Sequence, residues 1–198
     1  MVEDMQPFQP EFEKYALEFS PCIIVFAGLP LSGKTTLGQG LETRSNAVYL
    51  DVDSFRRNIV GHTQRLSDER ELWLMRAAYE SKFERAQEIV TAGLPVILGA
   101  TYSRETYLQG LQCLTEETQA PVRAFMFHAS DKVVGKRIEE RRRNGSVSVI
   151  QSIELFNLIR SRYDPPISVD YHIDTDASIN NTLQQVVDHL QEFRIIFS

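Results

Sequence analysis

The chain has 198 residues, of which 42% are hydrophobic and 24% charged, a balance typical of one folded globular domain. Its formal net charge of -6 excludes general binding to nucleic acid, so a polyanion would need a local basic patch. The two cysteines have neither metal-ligand nor redox-pair spacing, and no apolar run resembles a secretory signal or a membrane span. We therefore expect a cytoplasmic protein with a single domain over residues 1–198 and no membrane partner.

Strands and helices alternate along the predicted chain. Residues 1–20 form an N-terminal extension, in which a short helix is expected over 8–20; the alternative is a tail that binds a partner. Strands are predicted over 22–27, 47–51, 95–98, 122–128 and 171–174. Helices are predicted over 34–43, 53–58, 68–92 (after the cap Ser67 and before Gly93), 104–117, 130–143, 149–162 and 178–193. The alternation predicts an α/β fold of three layers, with a five-stranded, mainly parallel sheet and helices on both faces.

A phosphate-binding pattern follows the first predicted strand. Residues 28–35 read G-L-P-L-S-G-K-T, which fits GxxxxGKS/T between a strand and a helix and so predicts the P-loop NTPase fold. Backbone N–H groups in such a loop donate to the β-phosphate, and the helix behind adds its positive dipole end. Lys34 would reach the β- and γ-phosphates, and the Thr35 hydroxyl would bind Mg²⁺. The predicted nucleotide-binding residues are Gly28, Leu29, Pro30, Leu31, Ser32, Gly33, Lys34, Thr35 and Thr36.

An acid and an arginine, Asp53 and Arg56, form a D-x-x-R element just after the second strand. Because strand ends in a parallel sheet share one edge, Asp53 could accept a proton from a hydroxyl aimed at the γ-phosphate. Arg56 lies three residues further along the same helical face and could hold an acceptor group. The alternative is that Asp53 caps a helix and Arg56 is a surface charge.

The helix predicted over 130–143 is strongly basic, and Arg137 and Arg141 share one of its faces. Together with the break that follows, residues 130–147 would form a lid that closes over the transferred phosphate. The alternative is a solvated basic helix whose charges complement its own dipole. This helix is also the surface on which a nucleic-acid backbone could dock.

These motifs resemble the P-loop kinases that include polynucleotide 5′-hydroxyl kinases, zeta-toxin, chloramphenicol phosphotransferase relatives and kinases of the AAA_33 type. The resemblance spans about residues 22–176 and is carried by the loop over 28–36, D-x-x-R, V-I-L-G-A-T over 96–101, R-x-x-x-R and the Y-D-P-P element over 163–166. It implies a catalytic set of Lys34, Asp53 as general base, and Arg137 with Arg141 as lid arginines. It further implies Arg56 as the acceptor clamp and Thr36 at the α-phosphate.

Gly99 departs from the group, which often has an aspartate there that helps to organise Mg²⁺. Metal binding would then depend on Thr35, water and either Asp51 or Asp53.

The favoured function is an ATP- and Mg²⁺-dependent phosphotransferase that moves the γ-phosphate to a hydroxyl, with a nucleic-acid 5′ end slightly preferred as acceptor. The alternatives are a small-molecule kinase of the same fold and a nucleotide-binding regulator with little turnover. The DxxG and N/T-KxD motifs of GTPases and the LSGGQ motif of transporter ATPases are missing from the sequence.

Overall fold

The computed structural model describes residues 17–60, 68–144, 150, 152–163 and 167–194. Its five strands form one sheet in the order β2-β3-β1-β4-β5, and every neighbouring pair is parallel. The strands are β1 (Ile23–Ala27), β2 (Val48–Asp51), β3 (Val96–Ala100), β4 (Val122–His128) and β5 (Tyr171–Asp174). The helices are α1 (Lys34–Glu42), α2 (Val52–Val60), α3 (Asp68–Thr91), α4 (Glu105–Thr118), α5 (Asp131–Arg143), α6 (Ile153–Ser161) and α7 (Ile179–His189), and a 3₁₀ turn follows at Gln191–Phe193.

The central strand β1 is buried on both faces, which explains its unbroken apolar sequence. Ile23 and Val25 pack in a core with residues of α3 and α4. Ile24 and Phe26 point the other way, into a core with residues of α1 and α7. The predicted α/β fold with helices on both faces of a parallel sheet is therefore confirmed.

A third, smaller apolar cluster joins the phosphate loop to α5 and α6. Leu31 of the loop is buried there with Val134 and Ile138 of α5 and Phe156 of α6. Ser130 caps α5, as the sequence predicts, because its side chain accepts a hydrogen bond from the Val133 N–H. The basic helix is thus packed against the loop through its apolar face.

Residues 17–20 are not helical, so the helix predicted over 8–20 is wrong for that part. Leu17 forms a parallel bridge with Ser45, and Phe19 forms an antiparallel bridge with Arg194. Leu17 and Phe19 are both buried, and this two-residue period is that of a strand. Residues 8–16 of the predicted helix lie outside the described residues.

The helices α6 and α7 depart furthest from their predicted bounds, and both are shorter in the structure. α6 begins at Ile153 after its cap Ser152, and α7 ends at His189 before the 3₁₀ turn. Of the helices in the described ranges, none is long and apolar enough to cross a bilayer.

Candidate phosphotransfer site

The phosphate loop joins β1 to α1, and glycine is required where its backbone passes close to β4. Gly28 has φ 142°, and a Cβ there would lie 2.6 Å from the Phe127 carbonyl oxygen. Gly33, at φ 95°, is the left-handed residue just before α1. Leu31 also adopts a positive φ, 67°, which is uncommon for a residue with a side chain. The loop therefore has the tight turn and open backbone that its sequence predicts.

The Lys34 ammonium lies inside this loop. It donates to the Gly28 and Leu29 carbonyl oxygens, both at 2.7 Å, and to the Ser32 hydroxyl at 3.2 Å. Desolvation lowers the pKa of Lys34 to about 8, although nearby Asp51 and Asp53 oppose the shift. A bound phosphate would supply the negative charge that the neutral carbonyls lack.

Thr35 and Thr36 are exposed beside this ammonium at the start of α1. The glycine-lined loop, the lysine and the exposed hydroxyls suit a triphosphate with a hard, oxygen-preferring cation.

Arg137 of α5 links the loop to the end of β5. Its guanidinium donates to the Leu31 carbonyl oxygen at 2.7 Å and to the Thr175 hydroxyl and carbonyl oxygens at 3.1 and 2.9 Å. The Thr175 hydroxyl in turn donates to the His128 carbonyl oxygen at 2.9 Å. Desolvation lowers the pKa of Arg137, and the negative charge of Asp176 opposes this shift. Thr175 is not among the site residues that the sequence predicts.

A cavity of about 300 Å³ opens next to the loop on this side. We call this region the β5 side: the cavity together with the parts of α5, α7 and the β5–α7 connection that line it. Arg141 lines the cavity with Arg137 and Glu140, so the two predicted lid arginines are brought together. The remaining lining residues are Leu31, Gly33, Thr36, Leu37, Asn144, Thr175, Ala177, Ile179 and Thr182.

The opposite flank, which we call the β2 side, consists of the end of β2, α2 and α3. Asp51 ends β2, and Asp53 is an exposed residue in the first turn of α2. Burial and the charge of Asp53 raise the pKa of Asp51. Both carboxylates act electrostatically on Lys34, which places them near the phosphate loop. Asp53 thus lies on one flank of the loop, and its role as general base stays a prediction.

Arg56 forms a bidentate ion pair on the β2 side. Its Nε and one Nη donate to the two carboxylate oxygens of Glu71 at 2.8 and 3.0 Å. The hydrogen bonds and the charge of Glu71 raise the pKa of Arg56. The predicted acceptor clamp is therefore already oriented by α3. The sequence does not reveal this contact, because Glu71 is one of several charged residues at the start of α3.

A buried lysine, Lys82 of α3, lies behind the two carboxylates. Its side chain is fully buried against the rings of Tyr79, Phe83 and Tyr102, and its ammonium contacts the Tyr102 hydroxyl at 3.2 Å. Desolvation lowers its pKa to about 7, against the opposing charges of Asp51 and Asp53. The spacing of apolar residues along α3 does not predict that the polar side chain of Lys82 is buried.

Gly99 is covered by the ring of Tyr49 and pairs with Asp51 across β2 and β3. Of the Y-D-P-P element, Tyr163 donates to the Thr101 carbonyl oxygen at 2.9 Å, and 164–166 lie outside the described residues.

The parallel sheet and the GxxxxGKT loop after its central strand define a P-loop nucleotide-binding fold of the kinase type. Residues 23–166 match the AAA_33 family, described as an AAA domain, and the chain belongs to that family. No curated protein matches the chain.

Solved structures with the same fold support the kinase type. A "putative kinase" from Chloroflexus aurantiacus is 26% identical, with a TM-score of 0.67 over 86% of this chain and 99% of that one. The Mycobacterium tuberculosis APS kinase CysC, in complex with AMPPNP and APS, is 18% identical, with a TM-score of 0.61 over 87% and 98%. Chaetomium thermophilum Kti12, in complex with ADP-AlF3, is 16% identical, with a TM-score of 0.61 over 88% and 100%. The last two, below 25% identity, show the likeness of fold alone.

Proposed function

We propose that the protein is an ATP-dependent phosphotransferase that moves the γ-phosphate to a hydroxyl acceptor. The observation that carries this proposal is the loop itself, in which Lys34 and the glycine-lined backbone form an anion-binding cradle. The bound AMPPNP and ADP-AlF3 of two structural neighbours are consistent with a nucleotide in the corresponding loop.

The nucleoside would lie on the β5 side. The cavity there adjoins Thr36, which in this proposal contacts the α-phosphate, and it is large enough for part of a nucleoside. Arg137 and Arg141 line the same cavity, so both cations are close to the phosphate chain. In the transfer step, Lys34 and these arginines would balance the charge that spreads over the transferred phosphoryl group.

Thr35 would hold a Mg²⁺ ion, whose charge would offset that of the phosphates. The exposed Thr35 hydroxyl and the nearby Asp51 carboxylate supply the oxygen ligands that such an ion prefers. Two side chains of the protein would take the other roles: Lys34 would bind the phosphates, and Asp53 would accept the proton of the acceptor hydroxyl.

The acceptor would approach on the β2 side. Asp53 would accept the proton of its hydroxyl, and Arg56, held by Glu71, would orient it. In the transfer, the bond between the γ-phosphorus of ATP and the oxygen that bridges the β- and γ-phosphates breaks, and ADP leaves. A new bond forms between the γ-phosphorus and the acceptor oxygen. The acceptor proton goes to Asp53.

The sheet order separates the charges of the two sides and favours a small acceptor over a nucleic-acid 5′ end. The basic helix α5 follows β4, whereas α2 follows β2 at the opposite edge of the sheet. The β2 side carries Asp51 and Asp53 beside an exposed cation, Arg57, and the charge of Arg56 is matched by Glu71. A polynucleotide backbone would gain little attraction there. The 5′-hydroxyl end remains the second candidate because α5 could hold its more distant phosphates.

Transfer of labelled phosphate tests this proposal. Purified protein is incubated with γ-labelled ATP, Mg²⁺ and single acceptors: sugars, nucleosides, hydroxyl-bearing antibiotics, and 5′-hydroxyl RNA and DNA oligomers. We expect label in one acceptor class with the wild type and none with Lys34→Ala. Nucleotide binding without transfer to any acceptor, or hydrolysis alone, would contradict the phosphotransferase and support the regulator.

A further inference from the structure

Tyr49 of β2 lies in a slot made by two glycines. A Cβ on Gly38 of α1 would lie 2.3 Å from the Cε2 atom of its ring, and a Cβ on Gly99 of β3 would lie 2.3 Å from its hydroxyl oxygen. Real Cβ atoms do not approach other atoms so closely, so the ring occupies space that a side chain at either position would need. The backbone N–H of Tyr49 also donates to the Glu42 carboxylate at 2.9 Å. The phenol is therefore fixed between the helix behind the phosphate loop and the sheet.

The hydroxyl of Tyr49 is buried and has no well-formed hydrogen bond to any of the residues that the structure describes. Its polar neighbour is the Thr35 side chain, the proposed magnesium ligand, with which it makes a weak contact rather than a well-formed hydrogen bond. Nearly all buried polar side chains have a well-formed hydrogen bond, so a hydroxyl with only this weak contact at a ligand site points to a further group that binds there. A phenol hydroxyl can both donate and accept a hydrogen bond.

We propose that Tyr49 is a positioning residue for the metal, and that its hydroxyl hydrogen-bonds to a water of the Mg²⁺ that Thr35 binds. Mg²⁺ releases its waters reluctantly and usually keeps several of them in protein sites, so a buried hydroxyl next to its ligand has a partner available. Tyr49 thereby uses the space at the end of β3 that the absence of a side chain at Gly99 leaves open. The inference rests on the proposed function, since the ion arrives with the nucleotide.

A phenol in place of a carboxylate changes the charge of the metal site. A neutral hydroxyl orients a water but adds no negative charge, whereas a carboxylate at position 99 would do both. The affinity gain that Mg²⁺ gives to nucleotide binding should therefore depend on the Tyr49 hydroxyl, and should increase when a carboxylate replaces it.

Calorimetric titration of AMPPNP, with Mg²⁺ or with EDTA, measures that gain as the ratio of the two dissociation constants. For Tyr49→Phe, which keeps the ring in its slot, we expect an unchanged affinity in EDTA and a gain reduced about fivefold. Tyr171→Phe is the matched control, because Tyr171 packs against the same apolar core but lies on β5. Its gain should equal that of the wild type.

A second pair of variants tests the slot. Gly99→Asp alone should lower the melting temperature, because its Cβ would overlap the phenol oxygen. Combining it with Tyr49→Ala opens the slot for the carboxylate. We expect the double variant to regain thermal stability relative to Gly99→Asp, and to show a larger Mg²⁺ gain than Tyr49→Phe.

The outcomes separate this inference from the proposed function. A wild type that binds no AMPPNP under either condition overturns both. A wild type whose binding is strengthened by Mg²⁺, with an equal gain in Tyr49→Phe, overturns the role of Tyr49 and leaves the phosphotransferase intact. A reduced gain in Tyr49→Phe, with Tyr171→Phe unchanged, supports the inference.

Discussion

The β5 side and the β2 side of the phosphate loop are built in different ways. On the β5 side, backbone atoms provide most of the contacts: Arg137 bonds to the carbonyl oxygens of Leu31 and Thr175, and glycines shape the loop. On the β2 side, contacts run between side chains of separate elements, as in the Arg56–Glu71 pair. A backbone cradle suits phosphate groups that all nucleotides share, whereas side-chain pairs suit an acceptor that differs between enzymes. Lys34 is common to both sides, and each of the other substituted residues lies on one side alone.

The largest effect is expected for Lys34→Ala, which removes the cation inside the loop that both sides share. The remaining carbonyl oxygens of Gly28 and Leu29 would then face the phosphates without a counter-charge. We expect transfer to be lost and nucleotide binding to fall below detection in a calorimetric titration. Lys132→Ala, an exposed lysine on α5, is the control. An unaltered ATP titration for Lys34→Ala would reject the assignment of the loop.

The double variant Arg137→Ala with Arg141→Ala acts on the β5 side. It should slow transfer by about 10³-fold, because both cations lie along the proposed phosphate chain. Arg142→Ala with Arg143→Ala is a matched control: it removes the same charge from exposed positions on the same helix. Equal transfer rates in the two double variants would contradict the role of Arg137 and Arg141 in transfer. They would support the alternative interpretation, in which the charges of α5 only face solvent.

Asp53→Asn acts on the β2 side and keeps the shape of the side chain. We expect transfer to fall by at least about 10²-fold, since an amide cannot take the acceptor proton. Nucleotide affinity should stay within a few-fold of the wild type, because the β5 side is unchanged. Glu69→Gln, an exposed carboxylate on α3, provides the comparison. Full transfer by Asp53→Asn would remove this residue as the base.

Glu71→Gln weakens the support of the acceptor clamp. The variant loses one charge-assisted contact to Arg56, so we expect the KM for the acceptor to rise about tenfold while the KM for ATP is unchanged. Glu80→Gln breaks an exposed pair with Arg76 on the same helix and should change neither constant. An increase in the KM for ATP would instead indicate that the Arg56–Glu71 pair supports nucleotide binding.

The smallest effect concerns stability and comes from Lys82. Its folded pKa of about 7 is below the usual value of 10.5, so between these values the unfolded chain holds a proton that the folded chain lacks. The cost of burying the charge is complete below about pH 7 and disappears as pH rises through 10.5. We expect Lys82→Met to raise the melting temperature most at neutral pH and progressively less toward pH 10. An exposed control, Lys136→Met, should show no such trend.

The sequence was sufficient to predict the features that depend on neighbours along the chain. Gly28 and Lys34 are six residues apart, and the strand and helix around them are visible in the same stretch. Glu71 was missed because its partner Arg56 is on another helix, and the helical pattern of α3 does not reveal which charges are paired. Tyr49 was missed because its role depends on glycines from two other elements, Gly38 and Gly99, that only the tertiary fold brings together.

A crystal structure with AMPPNP and Mg²⁺ tests the central claim most directly. We expect the β-phosphate to accept hydrogen bonds from the backbone of the loop, and the Lys34 ammonium to have left the Gly28 and Leu29 carbonyl oxygens for the phosphates. The nucleobase of AMPPNP should lie in the cavity on the β5 side. An empty loop in a crystal grown with saturating nucleotide, with Lys34 still bound to its own carbonyl oxygens, would contradict the account.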